Sequence, residues 1–322
     1  MIELFLLLVL YSYQENTMEE RWLTLSDGKK LFYRVWKAEK TKATVHINHG
    51  MAEHSLRYDS FASFLNGYGY TVYCQDHRGH GKTKEGEDEK GWFAEEGGWT
   101  LICNDSYEID KLIEKEYPDV PHFIFGHSMG SFLTRTNIAL HSQDYRAAII
   151  MGTGASKGLV SRFGRMIALR RCKKYGSKHK DELLNNLAFG SYLSKFDHKR
   201  EGIYCWISSD REEIRKYEED PDCGFICSSR FYADLIEGLE TANNRELIAK
   251  IRKDLPIMFL SGEMDPVGNY SKGVVKASGL YKDAGINDVR LKLYKDGRHE
   301  ILNDSMRKEV MADCLAFYEE FV

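Results

Sequence analysis

Long hydrophobic runs are nearly missing from this chain of 322 residues. The one strongly apolar run, Leu4 to Tyr11, falls well short of the roughly 20 residues that a helix needs to cross a bilayer. Glu3 stands where a signal peptide would carry basic residues, and Tyr11-Ser12-Tyr13-Gln14-Glu15 offers no small-x-small cleavage site. A membrane span is excluded and secretion is disfavoured. Residues 1–17 read instead as an extension that is not native, with translation starting at Met18, because Met18-Glu19-Glu20-Arg21-Trp22 leads straight into strand-like sequence. Gln14-Glu15 can be encoded by a purine-rich stretch of the kind that precedes bacterial start codons.

Proline is scarce, at five residues, so no Pro-rich linker divides the chain, and neither an internal repeat nor a low-complexity stretch is visible. Neither sign of charge dominates: 45 Lys and Arg stand against 49 Asp and Glu, a formal net charge of -4. That balance supplies no global positive field to hold a polyanion, so nucleic acid is excluded as an expected partner. The seven cysteines (Cys74, Cys103, Cys172, Cys205, Cys223, Cys227, Cys314) are odd in number, scattered, and never in a C-x-x-C pair, which points to reduced thiols and a cytoplasmic location. There is no H-E-x-x-H, no Walker loop, and no G-x-G-x-x-G after a strand, so no metal and no organic cofactor is expected.

What is present is apolar material for one large core plus a modest insertion, 43% hydrophobic with 29% charged. Thr24 to Asp27 and Leu31 to Lys37 read as an opening hairpin around Asp27-Gly28. Thr44 to Asn48 and Thr71 to Gln75 are β-branched runs of buried-strand type, with a helix over Tyr58 to Leu65 between them. The pattern then predicts a helix over Trp99 to Glu116, a strand over His122 to Gly126, a helix over Met129 to Leu140 and a strand over Ala147 to Met151. After an interruption come strand Pro256 to Ser261, helix Gly273 to Lys282, strand Val289 to Tyr294 and helix Lys308 to Phe321. Alternation of this kind argues an α/β fold with a mostly parallel, doubly wound sheet, because parallel strands need crossover connections. The interruption, residues 155–237, reads as a mainly helical cap inserted in a core of residues 18–154 and 238–322.

Gly126-His127-Ser128-Met129-Gly130 fits G-x-S-x-G, in which a serine sits on a sharp strand-to-helix turn and the helix N-terminus faces developing negative charge. The pattern alone is weak, and Gly154-Ala155-Ser156-Lys157-Gly158 matches it as well. Order separates them. After Ser128 come further strands carrying Asp265 and His299 just past their C-terminal ends, where open parallel sheets place their chemistry; Ser156 leads into a basic segment instead. Ser128 is the expected nucleophile, His299 the general base, and Asp265 the carboxylate that orients the imidazole, with Glu263 as its local rival. His49-Gly50-Met51 follows the Thr44 strand, so the backbone N–H of Met51, beside that of Met129, would form an oxyanion hole.

At this point the sequence resembles a known family. His49-Gly50-Met51-Ala52-Glu53-His54-Ser55-Leu56-Arg57-Tyr58, Asp76-His77-Arg78-Gly79-His80-Gly81-Lys82-Thr83 and the Gly126 elbow are similar to the monoacylglycerol lipase and lysophospholipase branch of the α/β-hydrolases. Asp265-Pro266-Val267-Gly268 and Gly297-Arg298-His299-Glu300 resemble its bacterial, serine aminopeptidase-like members. The likeness runs from about Trp22 to the C-terminus and takes in the cap segment from Trp206 to Asp210 and on through Tyr217 to Phe225. Ser131 departs from the pattern, where many relatives carry a third glycine. The resemblance implies a serine hydrolase cleaving carboxylic esters, a monoacylglycerol or a lysophospholipid, through an acyl-enzyme on Ser128. It also implies that Glu53, Arg57 and the Asp76-His77-Arg78 turn are scaffold close to the site; His49 flanks the catalytic groups without an evident role, and His54 and His80 are structural.

The rivals are an aminopeptidase-like amidase, for which Glu212, Glu213, Glu218, Glu219 and Asp220 of the cap would hold a substrate ammonium, and a non-catalytic binding protein on the same fold. Residues 157–180 hold nine Lys or Arg and no Asp or Glu, interleaved with Leu159, Val160, Phe163, Met166, Ile167 and Leu169. Such a segment suits either an anionic lipid surface, met transiently, or a solvated helix face over the core.

Overall fold

The computed structural model describes residues 18–156 and 158–322. The expectation for residues 1–17 therefore lies outside the described residues, as does Lys157 of the basic segment. Eight strands form one sheet: β1 (Met18–Thr24), β2 (Lys30–Trp36), β3 (Ala43–Asn48), β4 (Tyr70–Gln75), β5 (His122–His127), β6 (Ala148–Met151), β7 (Ile257–Gly262) and β8 (Val289–Tyr294). Their order is β1-β2-β4-β3-β5-β6-β7-β8, with β1 and β2 antiparallel to their neighbours and all remaining pairs parallel.

The opening hairpin exists, but its first strand lies earlier than Thr24 to Asp27. Asp27-Gly28 belongs to the turn, where Gly28 has φ +85° and its N–H bonds to the Leu25 carbonyl. The strand itself carries Glu19, Glu20 and Arg21, which an edge strand tolerates because it alternates half-buried and exposed residues. The central strands β3 to β7 are buried along their whole length except at His122, the half-buried first residue of β5, which is why they read as largely apolar runs.

Side chains alternate between the faces with period two. Val45, Ile47, Phe123, Phe125, Ile149, Met151 and Leu260 enter one core, beneath helices α1 (Asp59–Asn66) and α11 (Arg307–Glu319). Ile124, Ala148, Ile150, Ile257 and Phe259 enter the other, beneath α3 (Met129–His141) and α10 (Lys272–Asp283). Helix α2 (Gly98–Glu116) packs Ile109 and Ile113 against the β2 and β4 side chains Tyr33, Val35 and Tyr73.

Between β6 and β7 lie α4 (Leu159–Tyr175), α5 (Glu182–Phe189), α6 (His198–Glu201), α7 (Arg211–Glu219), α8 (Ser229–Ala242) and α9 (Arg245–Ile248). Helix α8 is the most deeply set, with Phe231, Tyr232 and Ala233 among Trp99, Met129, Phe132 and Leu133. Arg135 on α3 secures it. This buried guanidinium donates to the Ala242 carbonyl (2.7 Å), Asn243 Oδ1 (3.1 Å), the Tyr281 hydroxyl (3.0 Å), Thr153 Oγ1 (3.1 Å) and the Gly154 carbonyl (3.0 Å). By contrast, Ala168 is the one buried residue of α4. Among the described residues no helix is long and apolar enough to cross a membrane.

Phe125, fully buried in the first core against Phe61, should carry much of that face: Phe125→Ala is expected to lower stability by about 3 to 5 kcal/mol, read from the urea midpoint at unchanged slope.

Candidate active site

Because β3, β5, β6, β7 and β8 run parallel, the loops leaving their C-terminal ends gather on one rim of the sheet. Ser128 follows β5 directly and adopts φ +53° and ψ -119°, a conformation that a serine holds only when its surroundings enforce it. Enforcement comes from close backbone approaches. A Cβ on Gly130 would lie 2.0 Å from the Asn48 carbonyl oxygen, and one on Gly126 would lie 2.3 Å from the Gly130 carbonyl oxygen. Glycine at both positions lets α3 sit hard against β3 and β5 and tip Ser128 onto the rim. Ser131 donates its hydroxyl to the Ser128 carbonyl, so the departure from the three-glycine pattern adds a brace at the turn.

Asp265 lies just beyond β7, fully buried, and its Oδ1 meets His299 Nδ1 at 3.0 Å. The same oxygen accepts the Val267 N–H at 2.8 Å, which holds the carboxylate in place. Glu263, the local rival, is exposed. His299 follows β8 and is joined to the cap: its N–H donates to the Trp206 carbonyl (3.3 Å), and that of Glu300 donates to Ile207 (2.8 Å). Ser128 and His299 share one neighbour, His127, which precedes Ser128 in the chain and whose ring lies 4.7 Å from that of His299. A Cβ on Gly50 would lie 3.2 Å from Ser128 Cβ and 3.3 Å from His127 Nδ1, and one on Gly152 would lie 3.1 Å from both the His127 ring and His299 Cε1. No hydrogen bond joins the Ser128 hydroxyl to His299 among the described residues, a looseness common before substrate tightens a site. Ser156 bonds its hydroxyl to the Gly158 N–H and has none of the Ser128 backbone distortion.

The oxyanion candidates Met51 and Met129 are brought to this rim by the Asn48–Gly130 contact, and their N–H groups find no acceptor among the described residues. The loop bearing Met51 is held by neutral histidines. His49 donates from Nδ1 to the Gly50 carbonyl and accepts the His77 N–H on Nε2, and His80 accepts the Ala52 N–H on Nε2 while donating from Nδ1 to Arg78. With one donor and one acceptor each, both rings are filled as neutral imidazoles. Burial agrees, pushing His49 well below its ordinary value and His80 down to about 4.

Glu53 ties these parts together. Its Oε1 accepts the Gly50 N–H and the Tyr58 hydroxyl (2.9 Å) and meets His127 Nδ1 at 3.3 Å, while Oε2 pairs with Arg57 at 3.3 Å. Burial alone would raise this carboxyl, but the His127 imidazole and Arg57 hold it well below the usual carboxylate range. For His127, burial is likewise outweighed, and Glu53 raises its pKa. Arg57 also pairs with Glu300 and lies over the Tyr217 ring, so it bridges the Met51 loop, the His299 loop and the cap.

Residues 39–306 match the family model described as Serine aminopeptidase, S33. The chain belongs to this family of α/β-hydrolases. Among the proteins similar to it is mouse monoglyceride lipase, 29% identical over 278 residues and covering 86% of this chain and 82% of that one. Another is the monoacylglycerol lipase of Mycolicibacterium smegmatis, 24% identical, covering 94% and 97% of the two chains. Of solved structures, a thermostable carboxyl esterase from Bacillus coagulans in complex with glycerol superposes with a TM-score of 0.87 at 27% identity, covering 94% of this chain and 98% of that one.

Sequence reasoning missed the aromatic wall that the S33 chain sets beside His299. The Trp206 ring lies 5.2 Å from the imidazole, and Tyr192 and Phe189 pack on Trp206 at 5.1 and 6.1 Å. Phe189 and Tyr192 are neighbours in sequence, but Trp206 comes from a separate piece of the cap, so no local pattern joins it to them. Glu300 was also missed as the second anion on Arg57, though its place next to His299 was a usable signal.

The Gly130 contact generates a test of the elbow: Gly130→Ala forces a Cβ into the Asn48 carbonyl, and a loss of about 3 kcal/mol or more is expected, measured as a lowered melting temperature beside a Gly279→Ala control in open space.

Proposed function

We propose that this chain hydrolyses carboxylic esters, with a monoacylglycerol or a lysophospholipid as substrate, through an acyl-enzyme on Ser128. Residues 18–154 and 238–322 form the catalytic core in this reading, and residues 155–237 the cap over it. The observation that carries it is the buried Asp265–His299 pair on the same sheet rim as the distorted Ser128.

Ser128 Oγ attacks the ester carbonyl carbon while His299 Nε2 takes its proton, and Asp265 keeps the other ring N–H pointed at itself and stabilises the imidazolium. The carbonyl oxygen, now negative, faces the Met51 and Met129 N–H groups, whose individual loss typically costs about 3 kcal/mol in the barrier. His299 returns the proton to the departing alcohol as the C–O bond breaks. Water then repeats the sequence on the acyl-enzyme and frees the fatty acid. No metal or cofactor enters any of these steps. Similarity to monoglyceride lipases, to a glycerol-bound esterase and, at 23% identity, to phospholipase YtpA of Bacillus subtilis supports a lipid ester as substrate.

The amidase reading needs cap acids free for an ammonium. Glu212 and Glu219 pair with Arg215, Glu213 with Lys216 and Arg307, and Asp220 meets His54, so four of the five acids named are already engaged. All seven cysteines are free, which supports a reducing compartment.

A fluorophosphonate probe should label the wild-type chain and Ser156→Ala alike and leave Ser128→Ala unlabelled, with ester turnover reduced at least about 10,000-fold in that variant and about as far in Asp265→Asn. Residual labelling of Ser128→Ala at Ser156 would overturn the assignment.

Helix α4 is proposed to meet anionic lipid. Leu159, Val160 and Phe163 are exposed on it, and its groove of about 570 Å³ is lined by Arg162, Arg165, Arg170 and Lys173 around Met166 and Leu169, with Glu240. Arg165 is paired with Glu237, whereas Arg170 and Lys173 have no carboxylate partner among the described residues. Vesicles containing phosphatidylserine should bind more tightly than phosphatidylcholine alone, and replacing Arg170 and Lys173 together by alanine should remove about 2 kcal/mol, roughly 30-fold. Binding indifferent to lipid charge would end this reading.

A further inference from the structure

Away from the serine, one cluster joins the oxyanion loop to the cap. His54 opens the turn after Glu53, Asp220 closes α7, and Cys223 ends the turn that follows, where its N–H donates to the Asp220 carbonyl at 3.0 Å. His54 Nε2 lies 2.9 Å from Asp220 Oδ2, and the imidazole nitrogen, carboxylate oxygen and Cys223 sulfur all lie within 4.8 Å of one another. A hydrogen-bonded His–Asp pair by itself is an ordinary brace between two segments. The thiol on its third side makes this one a mixed N, O and S donor set.

We propose that His54, Asp220 and Cys223 form a binding site for a single zinc-class ion that clamps the cap to the oxyanion loop. With metal–ligand bonds of about 2.0 to 2.3 Å, a tetrahedral ion needs its ligand atoms about 3.3 to 3.7 Å apart, so the His54–Asp220 pair at 2.9 Å would part by a few tenths of an ångström and the sulfur would close in by about 1.5 Å at most. Thiolate and imidazole with one carboxylate suit Zn²⁺ rather than Mg²⁺ or Ca²⁺, which favour oxygen. The other Asp220 oxygen already accepts the Asp222 N–H at 2.8 Å, leaving Oδ2 to face the ion. Arg57 is the nearby cation, and Glu53 and Glu300 offset it; burial pushes the Cys223 thiol up, so a bound ion has to displace its proton. The half-buried Asp220 side leaves room for solvent to bring the ion and occupy a fourth position.

Binding replaces the Cys223 S–H bond by a metal–sulfur bond and releases that proton to solvent, while the His54 Nε2 lone pair turns to the ion and the ring proton rests on Nδ1. The mechanical consequence follows from contacts already present. The Ala52 carbonyl accepts the Gly224 N–H (3.0 Å) and the Tyr217 hydroxyl (3.1 Å), so an ion would lock a seam that hydrogen bonds now hold. The site takes no part in acyl transfer, and its test does not depend on activity.

Co²⁺ titrated into the full-length, reduced and metal-stripped chain should bind one per chain, with a thiolate-to-cobalt absorption in the near ultraviolet and the intense visible bands of a tetrahedral site, both erased by Zn²⁺. Cys223→Ser should lose the near-ultraviolet band and bind at least tenfold more weakly, His54→Gln should also weaken at least tenfold, and Cys172→Ser should match wild type. Absence of stoichiometric binding, or a band that survives Cys223→Ser or vanishes in Cys172→Ser, overturns the proposal. Should the variants not fold, Zn²⁺ protection of Cys223 from maleimide in the wild-type chain decides it: protection is expected, and unchanged labelling refutes the site.

Discussion

A buried carboxylate, Glu53, is the constraint on which the arrangement of this rim depends. Three segments from distant parts of the chain must meet: the loop after β3, the elbow after β5 and the loop after β8. Glu53 accepts from the first through Gly50, touches the second through His127, and reaches the third through Arg57 and Glu300. An ionised carboxylate with no water around it survives only if its lone pairs are filled and its charge opposed. Both conditions are met here, and meeting them fixes the relative positions of the segments. A Cβ on Gly50 would lie 2.6 Å from Glu53 Oε1, so glycine is the residue that lets the loop close on this anion.

The second constraint is steric and acts on the same parts. Ser128 keeps its left-handed φ because Gly126 and Gly130 allow strand and helix to approach more closely than any side chain would permit. Strain in the backbone is thus held by packing on both sides, with the Ser128 N–H tied to the Met151 carbonyl (3.0 Å) and the Ser131 N–H to Ser128 (2.9 Å). Electrostatic and steric restraint converge on adjacent residues, His127 and Ser128.

Much of this was legible because the decisive signals are local. The buried strands β5 and β7 read as largely apolar runs and the half-buried β8 as an alternating one, and Ser128, Asp265 and His299 each follow a strand within a few residues. Chain order then separated Gly126-His127-Ser128 from the competing Ser156 match. Histidine and aspartate by themselves would have misled. His46 Nδ1 meets Asp110 Oδ1 at 2.6 Å, fully buried, a pairing geometrically as good as that of His299 with Asp265. It lies in mid-strand, however, and the further partners of its carboxylate, His122 at the start of β5 and Tyr145 ahead of β6, belong to the opposite end of the sheet, while the second ring nitrogen of His46 is taken up by Gln75 Oε1 at 2.6 Å. Position along a strand carried the distinction, not residue type. The displaced first strand shows the converse, since β1 has charges in a place where a buried strand could not.

The cap was the least legible region, and the reason lies in how it is held. Its helices α5, α6 and α7 are short, and the longer α4 buries little, so hydrophobic periodicity there is weak. What fixes the cap is a set of contacts between residues far apart in sequence: Trp206 and Ile207 carbonyls on the His299 loop, Tyr217 over Arg57 and against Ala52, and Arg135 reaching from α3 to the end of α8. The contacts of Trp206, Ile207 and Tyr217 end on loops that also build the rim. The cap therefore cannot shift without altering the backbone around His299 and Ala52, and any ligand that moves or stiffens it acts on that backbone through those bonds.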